Sequence, residues 1–359
     1  MKKLIKNVVL LVTIFAIAIV FVGCEMTTGE KNISKKTTKP DFSYTETIKV
    51  YMPSEYIDET VLYDFGKEFG IKVELEEFES NEDMYEAISG SSSYDVLVPS
   101  DYMMDRLIKE GKVEKLDKSR VPNISNVSAE YLSPSYDPNN DYVVPYMVGT
   151  LGVLYNKTKV SDAVRSWSAL FDSKYSGKVL MLDSERDTIG ITLKMLGYSM
   201  NSGEDSELAE VKSKLQGIRS SVSAYSASEE IRDKMVAGEG VLGVVYSGDA
   251  KIAIDRNPNL AYAIPNEGAN KWVDGFVVLK SSKKSEAAQK FINFMCRPNV
   301  AVRNMTSIGY TSPIKGAGAE FGGNKIMFPS AEELERSEAF LYNAQAVQKY
   351  SSLWNSVKK

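Results

Sequence analysis

Short apolar β-type runs alternate with amphipathic helical runs from residue 46 onward, and this alternation constrains the fold more than any other feature. Ile48-Lys49-Val50-Tyr51 reads as a strand, Glu59 to Phe69 as an amphipathic helix stopped by Gly70, and Ile71 to Leu75 as a strand. A helix capped at Ser80 or Asn81, the buried strand Tyr94 to Val98 and a helix from Asp101 to Glu110 repeat the unit. Strands joined through helices in this way predict a mainly parallel sheet flanked by helices. Past a Pro- and Asn-rich crossing from Val121 to Tyr142, a second series starts at Thr150-Leu151-Gly152-Val153-Leu154-Tyr155. It continues with strand Lys178 to Leu182, helices Asp187 to Tyr198 and Ser206 to Leu215, and strands Ser221 to Tyr225 and Val241 to Tyr246. A strand around Trp272, helices Ser285 to Cys296 and Asn299 to Ser307, and a last helix from Glu338 to Val357 complete the chain. Two α/β lobes are the economical arrangement, as the 359 residues also imply at ~150 residues per domain. The Gly-rich stretch 315–323 lacks phosphate-loop spacing and reads as a surface loop.

Charge and residue usage narrow the function. The net charge is -5 and no basic domain stands out, which argues against a nucleic-acid partner and weakly favours cationic ligands. With no histidine in the chain, Ser-His-Asp hydrolases, HExxH proteases and His-ligated metal sites are excluded. No metal site or cofactor is expected.

The N-terminus carries a basic Met1 to Asn7 and a fifteen-residue apolar run, Val8 to Val22, before Gly23-Cys24. This is an export signal whose spacing resembles a bacterial lipoprotein signal over residues 1–24, with Cys24 the lipidated residue; an uncleaved anchor would need about 20 apolar residues. Residues 25–44 read as a flexible tether. The other cysteine, Cys296, sits in an apolar helical run and is expected to be a buried core thiol without a disulfide partner.

In open α/β sheets ligands bind beyond the carboxyl ends of the strands. The residues there are Pro53-Ser54-Glu55-Tyr56, Pro99-Ser100-Asp101-Tyr102, Asp183-Ser184-Glu185-Arg186-Asp187 and Tyr246-Ser247-Gly248-Asp249. Asp101 and Asp249 precede helical runs and read as N-caps, and Arg186 as a neutraliser of Glu185 or Asp183. Glu55, Asp187 and Asp274 remain as carboxylates, with Tyr51, Tyr56, Tyr102, Tyr246 and Trp272 as aromatic walls. Trp272 and Asp274 are two apart on an extended segment, so they share a face. An indole beside a carboxylate suits an organic cation. A strand Trp that is mere core and an Asp that is a turn residue before Gly275 are the plainer alternatives.

The chain from Ile48 onward resembles the extracytoplasmic spermidine/putrescine-binding proteins of ABC importers. The resemblance is carried by Ser54-Glu55-Tyr56-Ile57, Phe78-Glu79-Ser80-Asn81-Glu82, Tyr94 through Tyr102, Tyr136 through Tyr142, Val144-Pro145-Tyr146, Leu196-Gly197-Tyr198-Ser199, Trp272-Val273-Asp274, Phe291-Ile292-Asn293-Phe294 and Ile308-Gly309-Tyr310. It implies an α/β, two-lobed type II periplasmic-binding-protein fold, each lobe a mixed, mainly parallel sheet flanked by helices. The lobes would comprise 45–149 with 273–318 and 150–272 with 319–359, joined by crossings near Val148-Gly149-Thr150 and Trp272-Val273. It implies a monomeric binding protein, not an enzyme, that is held at the membrane by its lipid and hands a polyamine to an ABC permease. Another amine solute, or a sensor or adhesin role without transport, are the alternatives. Glu55, Tyr56, Ser100, Tyr102, Trp272 and Asp274 match the family's ligand residues in kind; Tyr246 stands for Trp and Asp187 for Glu. Pro53, Ser184 and Phe340 depart from an expected Trp, Asp and polar residue. A site held by carboxylates alone is expected to bind with flat affinity from pH 6 to 8, declining toward about pH 4 to 5.

Overall fold

The computed structural model describes residues 42–90 and 93–358. The expected signal peptide, Cys24 and the tether as far as residue 41 lie outside them. Phe42 and Tyr44, at the end assigned to the tether, are not free chain: their rings meet at 5.1 Å, and Phe42 also meets Tyr63 at 5.5 Å.

The first series follows the predicted order: β1 (Glu46–Pro53), α1 (Glu59–Phe69), β2 (Ile71–Phe78), α2 (Asn81–Ser89), β3 (Val96–Leu97) and α3 (Asp101–Lys109). Helix α1 begins where the Asp58 carboxylate accepts from the Thr60 N–H and stops at Gly70, whose φ of 67° is accessible to glycine at little cost. β1 pairs in parallel with both β2 and β3. β3 is shorter than predicted, although on either side of it the N–H groups of Asp95 and Val98 still reach the carbonyls of Lys49 and Tyr51.

After the crossing come β4 (Val144–Asn156), β5 (Val179–Leu182), α4 (Glu185–Met195), α5 (Asp205–Ile218), β6 (Val222–Ser226), α6 (Ser228–Ala237), β7 (Leu242–Tyr246), α7 (Ser247–Arg256) and β8 (Leu260–Ala263). Then follow β9 (Lys271–Val278), α8 (Ser285–Met295), α9 (Pro298–Ile308), α10 (Ala331–Glu335) and α11 (Ala344–Lys358). The strands form one curled mixed sheet in the order β2-β1-β3-β9-β4-β7-β5-β6, with β8 also on β4. The run expected to open a second series at Thr150 is the second half of the 13-residue β4. Residues Val144 to Thr150 of that strand pair with β9, and Leu151 to Tyr155 with β7. β9 pairs in turn with β3 through Val277 and Val278, so β4 and β9 are the strands that join the two halves of the sheet.

Apolar faces decide the packing. Ile48, Phe65, Phe276 and Phe291 share one core cluster; Leu151, Trp167, Leu180 and Leu242 belong to a second. A smaller one joins α4, α5 and α11 through Ile189, Val211 and Tyr350. Cys296 is buried and unpaired as expected, with burial pushing its thiol up to about 12. The last helix starts at Ala344 rather than Glu338. Glu338 is held instead in an extended link, its N–H donating to Ala269 O (2.9 Å) and its carbonyl accepting from the Lys271 N–H (3.0 Å). Its carboxylate accepts from Lys194, Ser199 and the Met200 N–H. Among the described residues no helix is long and apolar enough to cross a membrane.

Candidate ligand-binding site

The segments following β1, β3, β5 and β7 converge with β9 on a cavity of about 140 Å³. Glu55, Tyr56, Ser100, Tyr102, Ser184, Asp187, Tyr246, Trp272, Asp274 and Phe340 all line it. Tyr51 does not. Its ring stacks on Tyr94 at 4.4 Å and meets Phe78 edge-on at 5.1 Å, so core packing occupies the face that a ligand would have used.

Trp272 stands opposite Gly149 in the β4–β9 ladder. A Cβ at Gly149 would come within 2.4 Å of the indole, so the missing side chain is what lets the ring lie across the strand. Tyr246 and Tyr310 meet the indole edge-on at 6.0 and 5.2 Å, completing an aromatic wall. Asp274 lies inside β9 rather than in a turn. Its Oδ2 accepts from the Tyr56 hydroxyl at 2.7 Å, while its Oδ1 is buried with no partner. Asp187, near the start of α4, repeats the arrangement: Oδ2 accepts from Ser184 (2.7 Å) and Tyr246 (2.8 Å), and Oδ1 has no partner. Burial pushes the Asp274 carboxyl up to about 6 and raises that of Asp187 as well. The Trp272 indole N–H is also buried and unpartnered.

Around this pair the remaining candidates have local partners. Ser100 sits across an isolated β-bridge from Asp274, and its hydroxyl accepts from Asn81 (3.1 Å). Tyr102 donates to Glu82 (2.9 Å) and meets Phe340 edge-on at 6.0 Å. Ser184 caps α4 and engages Asp187, so at the position where the family resemblance implies an acid the hydroxyl orients one instead. Phe340 lies under the Arg186 guanidinium, 4.2 Å from its carbon. Glu55 has φ 52°, an uncommon value outside glycine. It reaches Arg232 Nη1 at 2.9 Å.

Several assignments change. Asp101 is the first residue of α3, with Ser100 in the cap position, and accepts from the Tyr102 N–H. Burial pushes its carboxyl up to about 8. Asp249 is the third residue of α7 and accepts from Ser228 (2.7 Å), Arg232 (3.1 Å) and Tyr310 (3.1 Å). Neither is an N-cap. Arg186 bonds to Met200 O and Asn201 while its charge still favours the ionised Glu185 carboxylate, as expected, whereas Asp183 pairs with Lys358. Sequence reasoning missed Tyr310, Arg232 and Glu82 as cavity residues. Glu82 is pushed up to about 7 by burial and by Glu185 nearby. Tyr310 and Glu82 left a signal, within the Ile308-Gly309-Tyr310 and Phe78 to Glu82 matches; Arg232 sits in a charged helical run that reads as a solvated face.

An acidic, aromatic-walled cavity at the strand ends of a two-lobed α/β sheet defines a solute-binding protein of the type II periplasmic kind. The chain belongs to the family of bacterial extracellular solute-binding proteins, which its residues 60–329 match. It is 34% identical over 299 residues to the spermidine/putrescine-binding periplasmic protein of Escherichia coli, covering 81% of this chain and 86% of that one. It is 32% identical over 323 residues to a putrescine-binding periplasmic protein of Pseudomonas aeruginosa, covering 84% and 85%. The solved structure of a spermidine/putrescine ABC transporter protein of Listeria monocytogenes superposes with a TM-score of 0.84 at 33% identity, over 87% of this chain and 98% of that one. These relatives are transport binding proteins rather than enzymes, and the family is extracytoplasmic.

Proposed function

We propose that this protein captures a polyamine between its two lobes and delivers it to an ABC-type permease, held at the membrane by a lipid on Cys24 and acting as a monomer. The observation that carries this is the pair of buried carboxylates, Asp274 and Asp187, each with one oxygen satisfied by tyrosine or serine and the other unpartnered. Buried polar atoms rarely lack partners, and an ammonium supplies one with charge assistance. Trp272, Tyr246 and Tyr102 then cover the methylenes, the π faces favouring the adjacent charge. The names of the relatives support the same ligand class. Titration calorimetry of the full-length protein in detergent, with putrescine, cadaverine and spermidine, tests the reading; no binding of any of the three would defeat it.

The lobes are taken as 45–149 with 273–318 and 150–272 with 319–359, hinged where β4 and β9 pass between them. Closure on the ligand should compact the molecule. Scattering curves of the protein that superimpose with and without saturating putrescine would count against closure.

Asp274 also shifts the expected pH response. Its carboxyl stands at about 6 in the empty site, so it is ionised above that value and must lose a proton to accept a cation below it. Apparent affinity is therefore expected to fall about tenfold between pH 7 and 5, rather than holding flat to pH 6 and declining near pH 4 to 5. Equal affinities at pH 7 and pH 5 would remove Asp274 from the site.

A further inference from the structure

A second group of charges lines the same cavity. Arg232, on α6, is almost wholly buried; Nη1 donates to Glu55 Oε2 (2.9 Å) and to Asp249 Oδ1 (3.1 Å), and Nε to Asp233 Oδ1 (3.0 Å). Among the described residues lining the cavity it is the only Lys or Arg. Glu229, partly buried, lies close enough to Asp249, Glu55 and Arg232 to feel all three charges, and Arg256 shares the Asp233 Oδ1 with Arg232. Tyr310 connects this group to the Asp274 site: its hydroxyl donates to Asp249, and its ring meets Trp272 and Tyr56.

We propose that Arg232 sets the length and charge of the ligand, its guanidinium filling from within the chain the place a third ammonium would take, so that the cavity accepts a diamine and disfavours a triamine. This rests on the polyamine reading above. Three observations converge on it. The buried carboxylate oxygens left without a partner in the cavity are two, Asp187 Oδ1 and Asp274 Oδ1, one for each ammonium of a diamine. Glu55, which from sequence was a candidate for a further ligand charge, already holds Arg232, and a guanidinium cannot surrender its proton to make way. The cavity, about 140 Å³, is close to the ~150 Å³ that takes benzene, and a four-carbon diamine has as many heavy atoms as benzene. Removing the guanidinium would leave Glu55, Glu229 and Asp249 facing one another, a setting that favours an added ammonium.

The test is calorimetry of the full-length protein in detergent with putrescine and spermidine, for the native chain and for Arg232→Gln and Arg232→Lys. The native protein should bind putrescine at least about tenfold more tightly than spermidine. Arg232→Gln should narrow or reverse that ratio by about tenfold or more, chiefly by tightening spermidine, whereas Arg232→Lys, which keeps a cation, should retain the native preference. Native binding of spermidine as tight as putrescine overturns the inference without any variant. Equal changes in both affinities for Arg232→Gln overturn it too, and in both cases the polyamine reading survives. Failure of the native chain to bind either amine overturns both.

Discussion

Asp274→Asn is expected to weaken polyamine binding severely while leaving the empty protein as stable as before or more so. Taking one partner from a buried charge pair costs about 2–5 kcal/mol, which corresponds to a loss between roughly thirtyfold and several thousandfold. Asn keeps the shape and can still accept from the Tyr56 hydroxyl, which lies 2.7 Å from Oδ2, so the fold loses no packing. The stability effect has the opposite sign to the binding effect. The folded carboxyl stands at about 6, above its unfolded value of 3.8, so folding favours the protonated acid and ionised Asp274 is a penalty at neutral pH. That penalty amounts to up to roughly 3 kcal/mol at pH 7, fades as pH falls through 6, and is gone below the unfolded value. The melting temperature of the empty variant should therefore exceed that of the native protein at pH 7 and match it near pH 3.5. A lower melting temperature with unchanged affinity would identify Asp274 as a structural residue.

Gly149→Val should damage the fold and the ligand wall together. Valine is well suited to a strand backbone, so the cost comes from collision alone. The first added carbon would stand 2.4 Å from the Trp272 ring and 2.9 Å from the Ser247 hydroxyl. A ring buried between Tyr246 and Tyr310 has no free rotamer to retreat to, and overpacking of this kind costs about 1–3 kcal/mol of stability. Displacing the indole also removes the wall beside Asp274, so affinity for putrescine should drop by more than about tenfold. Calorimetry together with a thermal melt reads both effects. Native affinity in this variant would mean that the indole does not cover the ligand.

What the sequence disclosed follows from where local signals and tertiary demands agree. Helix α1 was legible to the residue because Asp58 and Gly70 state its ends chemically and its apolar positions keep one period. The Trp272 and Asp274 pair was legible because strand alternation alone puts them on one face. β4 was misread because Gly149 looks like a break in a strand pattern, when its purpose is to admit a ring from a residue more than a hundred positions later. Arg232 was invisible for a different reason. In Glu229-Glu230-Ile231-Arg232-Asp233-Lys234 the charges read as an ordinary wet helix face, and only the tertiary approach of Asp249 and Glu55 reveals that one of them points inward. Glu338 continued a helical pattern, yet Ala269 and Lys271 claim its backbone for an extended link.

The place of β9 has a consequence for how the polypeptide acquires its structure. Strand β3 gains its second neighbour only from Val277 and Val278 of β9, and Ile48 and Phe65 share their core cluster with Phe276 and Phe291. An N-terminal fragment ending before Phe276 can pair β1 with β2 and β3, but its core cluster lacks Phe276 and Phe291. Non-local closure of this kind slows folding. The middle of the sheet, where β9 lies between β3 and β4, therefore closes only when the last third of the chain is present.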